Sequence, residues 1–526
     1  MSGTSRINGV ALGAALLLLA GLWAAHVAAA GRVAGLFHDE GVYIVTAESL
    51  ANAEGYRAAS LPGAPAERHY PPLLPLILAA VWRLAPDFPA NLPALKAVPL
   101  AAAAGIVLLL PVYLRRLGFT PLVALVTGVL TGVAPLTLRY ATAVVSELPF
   151  AFLALTALLA TERATEPKRP EGAAVLAGAI AGLAVLTRVI GIAVVVAGLL
   201  TLWRRVGWRH ALAFVLATGL CVLPWAAWLM TDPQAAGEPS YLTELMRAGW
   251  PRPSEIALHM AELPATVALI ALPGVPDLLP VETPGIVIGV LYVVGLVAIG
   301  LATCAPYGIY VAVSLAIAAA WPLFQPRYVL PLAPFLLAPL LGIALTPAVG
   351  RVRRGIGWGV VGGLAVSALL GHGASLARVH HSGLPALEQV ADDAVTWDDV
   401  QLALDWLRAY TQPDDVLGAV HDPLLHLYTG RPAVRAYPSL KRPDPGQVTA
   451  ELASSGARYI VDLPVPYVGD WVPARRVWER WLTEHASVLQ PVYTGAGGRI
   501  RVWRLDGFLP ELTPTAAPPP PGHALG

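Results

Sequence analysis

Long apolar segments separated by short polar turns fill the first 372 residues of the chain. The first of them, 10–30, is long enough to cross a bilayer as a helix, since a hydrocarbon core of roughly 30 Å needs about 20 helical residues. Further segments of this kind are at 94–114, 121–138, 147–161, 172–187, 189–203, 210–230, 285–305, 307–323, 328–346 and 356–372. The pattern predicts a polytopic α-helical membrane protein with about 11 transmembrane helices.

The basic residues between these segments predict the orientation, because Lys and Arg in short loops are retained in the cytoplasm. With the N-terminus inside, four basic loops fall on one side of the membrane; they contain Arg115, Arg116, Arg163, Lys168, Arg169, Arg204, Arg205, Arg209, Arg351, Arg353 and Arg354. The first outer loop, 35–93, and everything after about residue 373 then lie on the extracytoplasmic side of the membrane. An odd number of missed spans would reverse this assignment. Segment 10–30 is longer than the core of a signal peptide, so we expect an uncleaved anchor.

Two outer segments are more than simple turns. In 35–93, Tyr43, Val45 and Leu50 predict a short amphipathic helix along the interface. A second apolar stretch from Pro71 to Trp82 is too short to span. Residues 231–284, which are rich in proline, suggest a lid or another interfacial element.

The composition changes after residue 372, which we take as the end of the membrane domain, 1–372. Acidic and aromatic residues become frequent, a helix is predicted over 398–411, and strands are predicted at 416–420, 458–463 and 499–505. We expect 373–510 to form a small extracytoplasmic α/β domain. The proline-rich tail, 511–526, is expected to be disordered or polyproline-like.

Composition excludes several classes of protein. The chain is 56% hydrophobic and only 13% charged, far from the roughly 25% charged residues of a soluble domain. A net charge of +1 gives no reason to expect a nucleic acid partner. The two cysteines, Cys221 and Cys304, lie in apolar segments, so a disulfide framework is not expected.

The sequence has neither a Cys/His cluster at zinc spacing nor a Walker-type phosphate loop. Small-residue pairs such as Gly128/Gly132, Gly178/Gly182 and Gly285/Gly289 are typical of helix packing.

The candidate chemistry lies at the outer ends of the spans. The acids Asp39 and Glu40 directly follow the first span, and Ser146 and Glu147 open the fourth. The other candidates are aromatic or basic: Tyr43, His69, Tyr70, Arg139, Tyr140, Arg188, Arg327 and Tyr328. An acid beside a lipid interface suits deprotonation of an acceptor hydroxyl, and a guanidinium suits a lipid-linked phosphate.

Each of these residues also has a structural interpretation. The acids of the first loop could be solvated charges at a helix end. Ser146 and Glu147 could cap a helix, Arg188 could reach the interface along its apolar stem, Arg327 could be a loop charge, and His69 could be packed or solvated. The sequence alone does not decide between these interpretations.

Together these positions resemble the GT-C glycosyltransferases, in particular the family that contains the protein O-mannosyltransferases and the aminoarabinose transferase of lipid A. The resemblance covers about residues 5–372 and depends on the order of five motifs. These are His38–Tyr43, His69–Leu73, Ser146–Phe150, Leu186–Arg188 and Gln325–Pro331. Some relatives have a lysine before the paired prolines, where this chain has Tyr70.

The resemblance implies a fold and a reaction. It implies that Asp39, with Glu40 beside it, activates the acceptor, that Glu147 is a second active-site carboxylate, and that Arg188 and Arg327 contact the donor phosphate. The substrates implied are a polyprenyl-phosphate sugar and an envelope glycan, lipid or protein acceptor. The expected reaction inverts the anomeric centre and needs no obligatory metal. A secondary transporter and a non-catalytic glycan-binding protein remain the alternatives, although the charges cluster at the ends of spans and not at mid-membrane, as a transporter would require.

Overall fold

The structure is a computed structural model of the chain. It describes residues 9–31, 33–231, 252–271, 305–321, 326–345, 351–384, 395–435, 445–463, 472–487 and 489–505. The chain divides into two compact units, and both are discontinuous in sequence. The first comprises 1–34, 46–56 and 66–387, and the second comprises 35–45, 57–65 and 388–526.

The first unit is helical and its helices follow the predicted apolar segments closely. Its elements are α1 (Gly9–Ala29), the end of α2 (His38–Ala51), α3 (Leu73–Leu84), α4 (Leu92–Arg116), α5 (Pro121–Gly132), α6 (Pro135–Ala141), α7 (Glu147–Ala164), α8 (Glu171–Thr187), a 3-10 turn (Val189–Gly191), α9 (Ile192–Arg205), α10 (Trp208–Met230), α11 (Pro253–Ala271), α12 (Pro306–Ala320), a 3-10 helix (Pro326–Leu332), α13 (Ala333–Leu345) and α14 (Arg351–Ser382). Helix α11 lies in the segment where a lid or an interfacial element was predicted, and the rest of 232–284 is outside the described residues.

Within the described ranges, four helices are long and apolar enough to cross a membrane, or five if the bent pair α5 and α6 counts as one span. Several others, including α3, α8 and α12, are apolar but shorter. A polytopic helical membrane protein is therefore confirmed, whereas the expected number of about 11 helices is not. The predicted span 285–305 lies outside the described residues except for Ala305.

The bend between α5 and α6 is stabilised by side chains from other helices. The two helices meet at 56°, and such a break leaves backbone carbonyls without their helical partners. Trp23 Nε1 of α1 donates to the carbonyl of Gly132 at 2.9 Å. The ring of His372 on α14 lies 2.8 Å from the carbonyl of Val133 and 2.8 Å from the ring of His26. These buried contacts fix the direction of α6, which leads to the start of α7.

Small residues let α8 and α10 approach closely, as the sequence predicted. A Cβ built on Gly178 would lie 2.2 Å from the carbonyl oxygen of Phe214, and one on Gly182 would lie 2.7 Å from Cys221 Cβ. Gly128 similarly faces Pro111 of α4 at 3.0 Å. The pair Gly285/Gly289 lies outside the described residues.

Helix α2 corrects one prediction. The sequence predicted an amphipathic helix with one apolar face along the interface, but consecutive residues from Val42 to Ala47 are all buried. Since successive residues of a helix point about 100° apart, burial of all six means that the helix is covered on every side. The helix thus lacks the single exposed polar face that the sequence predicted, and its position at the interface stays a prediction. The second apolar stretch of this loop forms α3, as expected.

The second unit contains an α/β fold built on a five-stranded sheet. Its helices are the start of α2, α15 (Trp397–Tyr410), α16 (Asp422–Thr429), α17 (Pro445–Ser454) and α18 (Val472–Glu484). Its strands are β1 (Val416–Ala419), β2 (Ala433–Arg435), β3 (Ala457–Asp462), β4 (Gln490–Gly495) and β5 (Ile500–Arg504), in the order β2-β1-β3-β5-β4. The first three strands are parallel, and β5 pairs antiparallel with both β3 and β4.

The helix and the three strands predicted for this region match α15, β1, β3 and β5 within about two residues. Helix α15 starts with a reciprocal cap between Thr396 and Asp399, which defines its first residue. The sequence missed β2, which has three residues, and β4, which is largely exposed and contains Pro491. Helix α14 continues to Ser382, beyond the boundary proposed at residue 372. The tail 511–526 lies outside the described residues.

The close contact of α8 with α10 predicts a cost for a single added methyl group. We expect Gly178→Ala to lower stability by about 1–3 kcal/mol, because the new Cβ meets rigid backbone. Thermal unfolding of the purified protein in detergent measures this. Gly219→Ala is the matched control. Gly219 lies in α10, and a Cβ built on it has no heavy atom within 4 Å. An equal loss for both variants would contradict the packing argument.

Candidate active site

The first turn of α7 buries a carboxylate. Glu147 is its first residue and is 0% exposed. Ser146 precedes it with helical backbone angles, and its side chain makes no cap to the helix. The Ser146 hydroxyl instead accepts a hydrogen bond from Arg188 Nη1 at 2.8 Å. The interpretation of Ser146 as an ordinary helix cap is therefore wrong.

Arg188 reaches Glu147 because the chain breaks between two helices. Its backbone is extended (φ −149°, ψ 136°), between the end of α8 and the 3-10 turn before α9. Its Nη1 lies 2.7 Å from Glu147 Oε1, and its side chain is only 12% exposed. The guanidinium is thus turned towards a buried acid of the neighbouring helix, which is not the arrangement of an arginine that reaches for the interface.

A second guanidinium approaches the same oxygen. Arg327, in the 3-10 helix before α13, places Nη1 3.5 Å from Glu147 Oε1, and its side chain is 14% exposed. The ring of Tyr328 lies 5.6 Å from the Arg188 guanidinium carbon and 5.8 Å from that of Arg327. Both distances are within the range of a cation–π contact. Glu147 and Tyr328 therefore hold the two cations side by side.

The carboxylate of this cluster is shared by two cations through one of its oxygens. Arg188 and Arg327 both contact Glu147 Oε1. Glu147 Oε2 is also buried and accepts no hydrogen bond from the described residues. Leaving a buried acceptor without a donor costs about 1–3 kcal/mol. A hydroxyl group of a ligand would satisfy this acceptor.

The paired acids of the first loop lie in the second unit, at the start of α2. Asp39 is 9% exposed and Glu40 is 3% exposed. Glu40 Oε2 accepts the backbone N–H of Gly35 at 3.0 Å, so this carboxylate closes the turn that leads into its own helix. Tyr43 follows Asp39 by four residues, which places the two on one face of α2. Glu40 thus has a structural contact that the sequence did not reveal.

His69 and Tyr70 belong to another group of contacts in the first unit. The backbone N–H groups of His69 and Tyr70 donate to Glu67 Oε1 at 2.7 and 3.1 Å. The two rings meet edge to face at 4.7 Å, and the Tyr56 hydroxyl donates to the carbonyl of Tyr70 at 2.7 Å. Glu67 organises this loop, and the sequence analysis did not single it out.

Lys96 is a second residue that sequence reasoning missed. It lies in α4, is 6% exposed, and its Nζ donates to the carbonyls of Ala30 and Val33, both at 2.8 Å. A buried ammonium is costly unless it is hydrogen-bonded, and here it fixes the chain that leaves α1. Its place near the start of an apolar segment was the only signal, and that signal is common at span ends.

Across the described part of the chain, no three His, Cys, Asp or Glu side chains are grouped so that they could hold a metal ion. The candidate ligands for an anion are arginines. They lie in the first unit, around Glu147.

Solved structures of similar fold come from GT-C glycosyltransferases. The chain is similar to ArnT, the lipid A aminoarabinose transferase, from Cupriavidus metallidurans bound to undecaprenyl phosphate, with a TM-score of 0.60 and 15% identity over 96% of this chain and 99% of that one. It is also similar to the archaeal oligosaccharyltransferase AglB from Archaeoglobus fulgidus, in complex with an inhibitory peptide and a dolichol-phosphate. That match has a TM-score of 0.56 and 12% identity over 85% of this chain and 69% of that one.

A second AglB structure, in complex with Zn and sulfate, matches with a TM-score of 0.53 and 12% identity over 84% of this chain and 67% of that one. No protein-family model matches the sequence, and neither does any curated protein. At these identities the likeness establishes the fold. The chain shares the fold of these ArnT and AglB structures.

The Glu147 cluster predicts a large effect of removing one charge. We expect Glu147→Gln to lower stability by about 3–5 kcal/mol, because two nearly buried guanidiniums lose their shared counter-ion. Thermal unfolding in detergent measures the change. Glu166→Gln is the control, since Glu166 pairs with Arg116 and Arg169 at exposed positions and should barely alter the melting temperature. A melting temperature for Glu147→Gln equal to that of the control would show that the cluster does not stabilise the fold.

Proposed function

We propose that the protein is a membrane glycosyltransferase that moves a hexosyl or pentosyl group from a polyprenyl-phosphate donor to an acceptor hydroxyl on the outer face of the cell membrane. The observation that carries the proposal is the pair of guanidiniums, Arg188 and Arg327, which both contact the buried Glu147. The fold shared with structures that contain undecaprenyl phosphate and dolichol-phosphate supports the same substrate class.

The arginine pair suits the phosphate of a lipid-linked sugar. Guanidiniums bind phosphate oxygens through two parallel hydrogen bonds, and they keep their charge in an apolar setting. Tyr328 would keep the two planes apart and oriented. In this proposal the phosphate binds the outer edges of both cations while the prenyl chain lies among the apolar helices. His69 and Tyr70 are proposed to line the donor site, with their loop held by Glu67.

Glu147 then has two roles. Its Oε1 keeps the arginines in place, and its buried Oε2 is proposed to accept a hydrogen bond from a hydroxyl of the transferred sugar. Such a bond would satisfy an acceptor that no described residue satisfies.

Asp39 is proposed to act as the general base, with Glu40 shaping its turn and Tyr43 on the same helix face. The acceptor oxygen attacks the anomeric carbon as its proton passes to the Asp39 carboxylate. The bond from that carbon to the phosphate oxygen breaks, and polyprenyl phosphate leaves with the bonding electrons. Attack from the side opposite the phosphate inverts the anomeric configuration. Arginine contacts offset the charge of a leaving monophosphate, so the proposal needs no obligatory metal.

Replacement of the base tests this mechanism. We expect Asp39→Asn to lower turnover by about 10²–10⁴-fold, because an amide accepts no proton from the acceptor. Transfer of radiolabelled sugar from a polyprenyl-phosphate donor to envelope fractions measures this, in buffer with and without a chelator. The control is Asp87→Asn, since Asp87 is an exposed carboxylate of the same outer loop.

Two outcomes would count against the proposal. Normal transfer by Asp39→Asn would remove Asp39 from the mechanism. Uptake of a solute into proteoliposomes by the wild-type protein, without sugar transfer, would instead favour a transporter. The acceptor is identified by the fraction that gains the label, whether glycan, lipid or protein.

Removing one cation tests the donor site separately. We expect Arg327→Gln to raise the KM for the donor, and the Kd for undecaprenyl phosphate, by about ten- to a hundredfold, because a charge-assisted hydrogen bond is worth about 1.5–3 kcal/mol. Binding of undecaprenyl phosphate in detergent measures the Kd. Arg209→Gln is the control, because Arg209 is exposed at the other end of the spans. Unchanged affinity in Arg327→Gln would exclude this arginine from phosphate binding.

A further inference from the structure

The first turns of α2 pack directly on α16 within the second unit. A Cβ built on Gly41 would lie 2.5 Å from Pro423 Cβ, and one built on Gly35 would lie 3.2 Å from the Cα of Leu424. Gly41 thus allows an approach that a larger residue would block, and a Cβ at Gly35 would crowd Leu424. Pro423 is at the start of a helix and its ring is rigid, so the neighbour cannot move aside cheaply.

An ionic cluster fixes the same contact at its edge. The ring of His38, the first residue of α2, contacts a terminal nitrogen of Arg435 on β2 through Nε2. His38 Nδ1 lies 3.5 Å from Asp422 Oδ1, and Arg435 Nε lies 3.7 Å from that oxygen. The side chain of Asp422 is only 5% exposed.

The geometry of these groups restricts the direction of the His38 ring. A guanidinium only donates hydrogen bonds, so in this contact His38 Nε2 is the acceptor and Arg435 is the donor. Nδ1 of the same ring faces the Asp422 carboxylate. Arg435 and Asp422 therefore face the two nitrogens of the ring that begins α2 and specify its orientation.

We propose that Asp422 and Arg435 are positioning residues for the reaction, and that they act through His38 on the adjacent Asp39. This inference rests on the proposed function. It gives the α/β fold of the second unit a part in catalysis, because the residues that hold the helix of the proposed base belong to α16 and β2. No sequence pattern indicated such a role for Asp422 or Arg435.

The rate of proton transfer depends on the distance between the proposed base and its substrate. A misplacement of about 1 Å caused by a remote change can lower the rate by about 10²-fold. We therefore expect Asp422→Ala to lower kcat by about ten- to a hundredfold while the KM for the polyprenyl-phosphate donor changes less than threefold, since the donor arginines are not altered. A residue that only stabilised the fold would lower the amount of folded protein and leave kcat per folded molecule unchanged.

A steric pair provides a second, independent perturbation. Gly41→Ala should reproduce the loss of kcat, because its new Cβ meets Pro423. Combining it with Pro423→Gly removes the opposing Cβ and ring, and we expect the double variant to recover at least tenfold over Gly41→Ala alone. Arg480→Gln is the control in the same fold, since Arg480 is in an exposed pair with Glu484 on α18.

Amide hydrogen exchange separates this inference from the proposed function. In the full-length protein in detergent, Asp422→Ala and Gly41→Ala should increase exchange across residues 38–45. Asp39→Asn should lower transfer by about 10²–10⁴-fold and leave this exchange unchanged. Increased exchange with kcat within twofold of wild type would overturn the positioning role, and unchanged exchange would overturn the docking itself. A wild-type protein that transfers no sugar would overturn the proposed function and the catalytic role of the docking with it, even if the exchange results support the contact.

Discussion

The buried Glu147 carboxylate constrains the architecture of the first unit more than any other group. An ion of this size costs several kcal/mol to remove from water unless charged or hydrogen-bonding partners surround it. Its partners come from two distant parts of the chain, Arg188 at the break after α8 and Arg327 in the 3-10 helix before α13. Each partner is on an irregular segment that interrupts an apolar helix. The irregular backbone is therefore explained by the need to bring two cations to one acid.

The paired acids of the first loop show how one dipeptide divides its tasks. Glu40 turns back to the N–H of Gly35 and so fixes the approach to α2. Asp39, one residue earlier, is on a different face of the helix and is the residue that we propose for chemistry. The contact of Gly41 with Pro423 and the cluster around His38 then restrain the same turn by shape and by charge. A general base gains from such restraint, because its contribution depends on its position at the moment of proton transfer.

Hydropathy predicted the helices well because length and apolar character are local properties of a segment. The bounds of α1, α7, α8 and α10 differ from the expected ones by a few residues. Strands β1, β3 and β5 were predicted from short apolar segments, and in β5 apolar and charged residues alternate. Tertiary contacts were not predictable in this way. Helix α2 was expected to be amphipathic. That expectation failed because the burial of a helix depends on elements that are far away in sequence. Lys96, Glu67, Asp422 and Arg435 went unnoticed for the same reason, since each acts through partners that no local pattern reveals.

Tyr328 explains why the cations of the Glu147 cluster are arginines. Its ring lies against both guanidiniums, and a planar guanidinium can stack on an aromatic face while its edge keeps donors for other partners. A lysine ammonium has no plane to stack and would keep more of its hydration. Two arginines that contact the same ring are therefore held in position while their donors remain available for oxygen acceptors. In the reaction that we propose, a site preorganised in this way would lose little energy to rearrangement when it binds a phosphate.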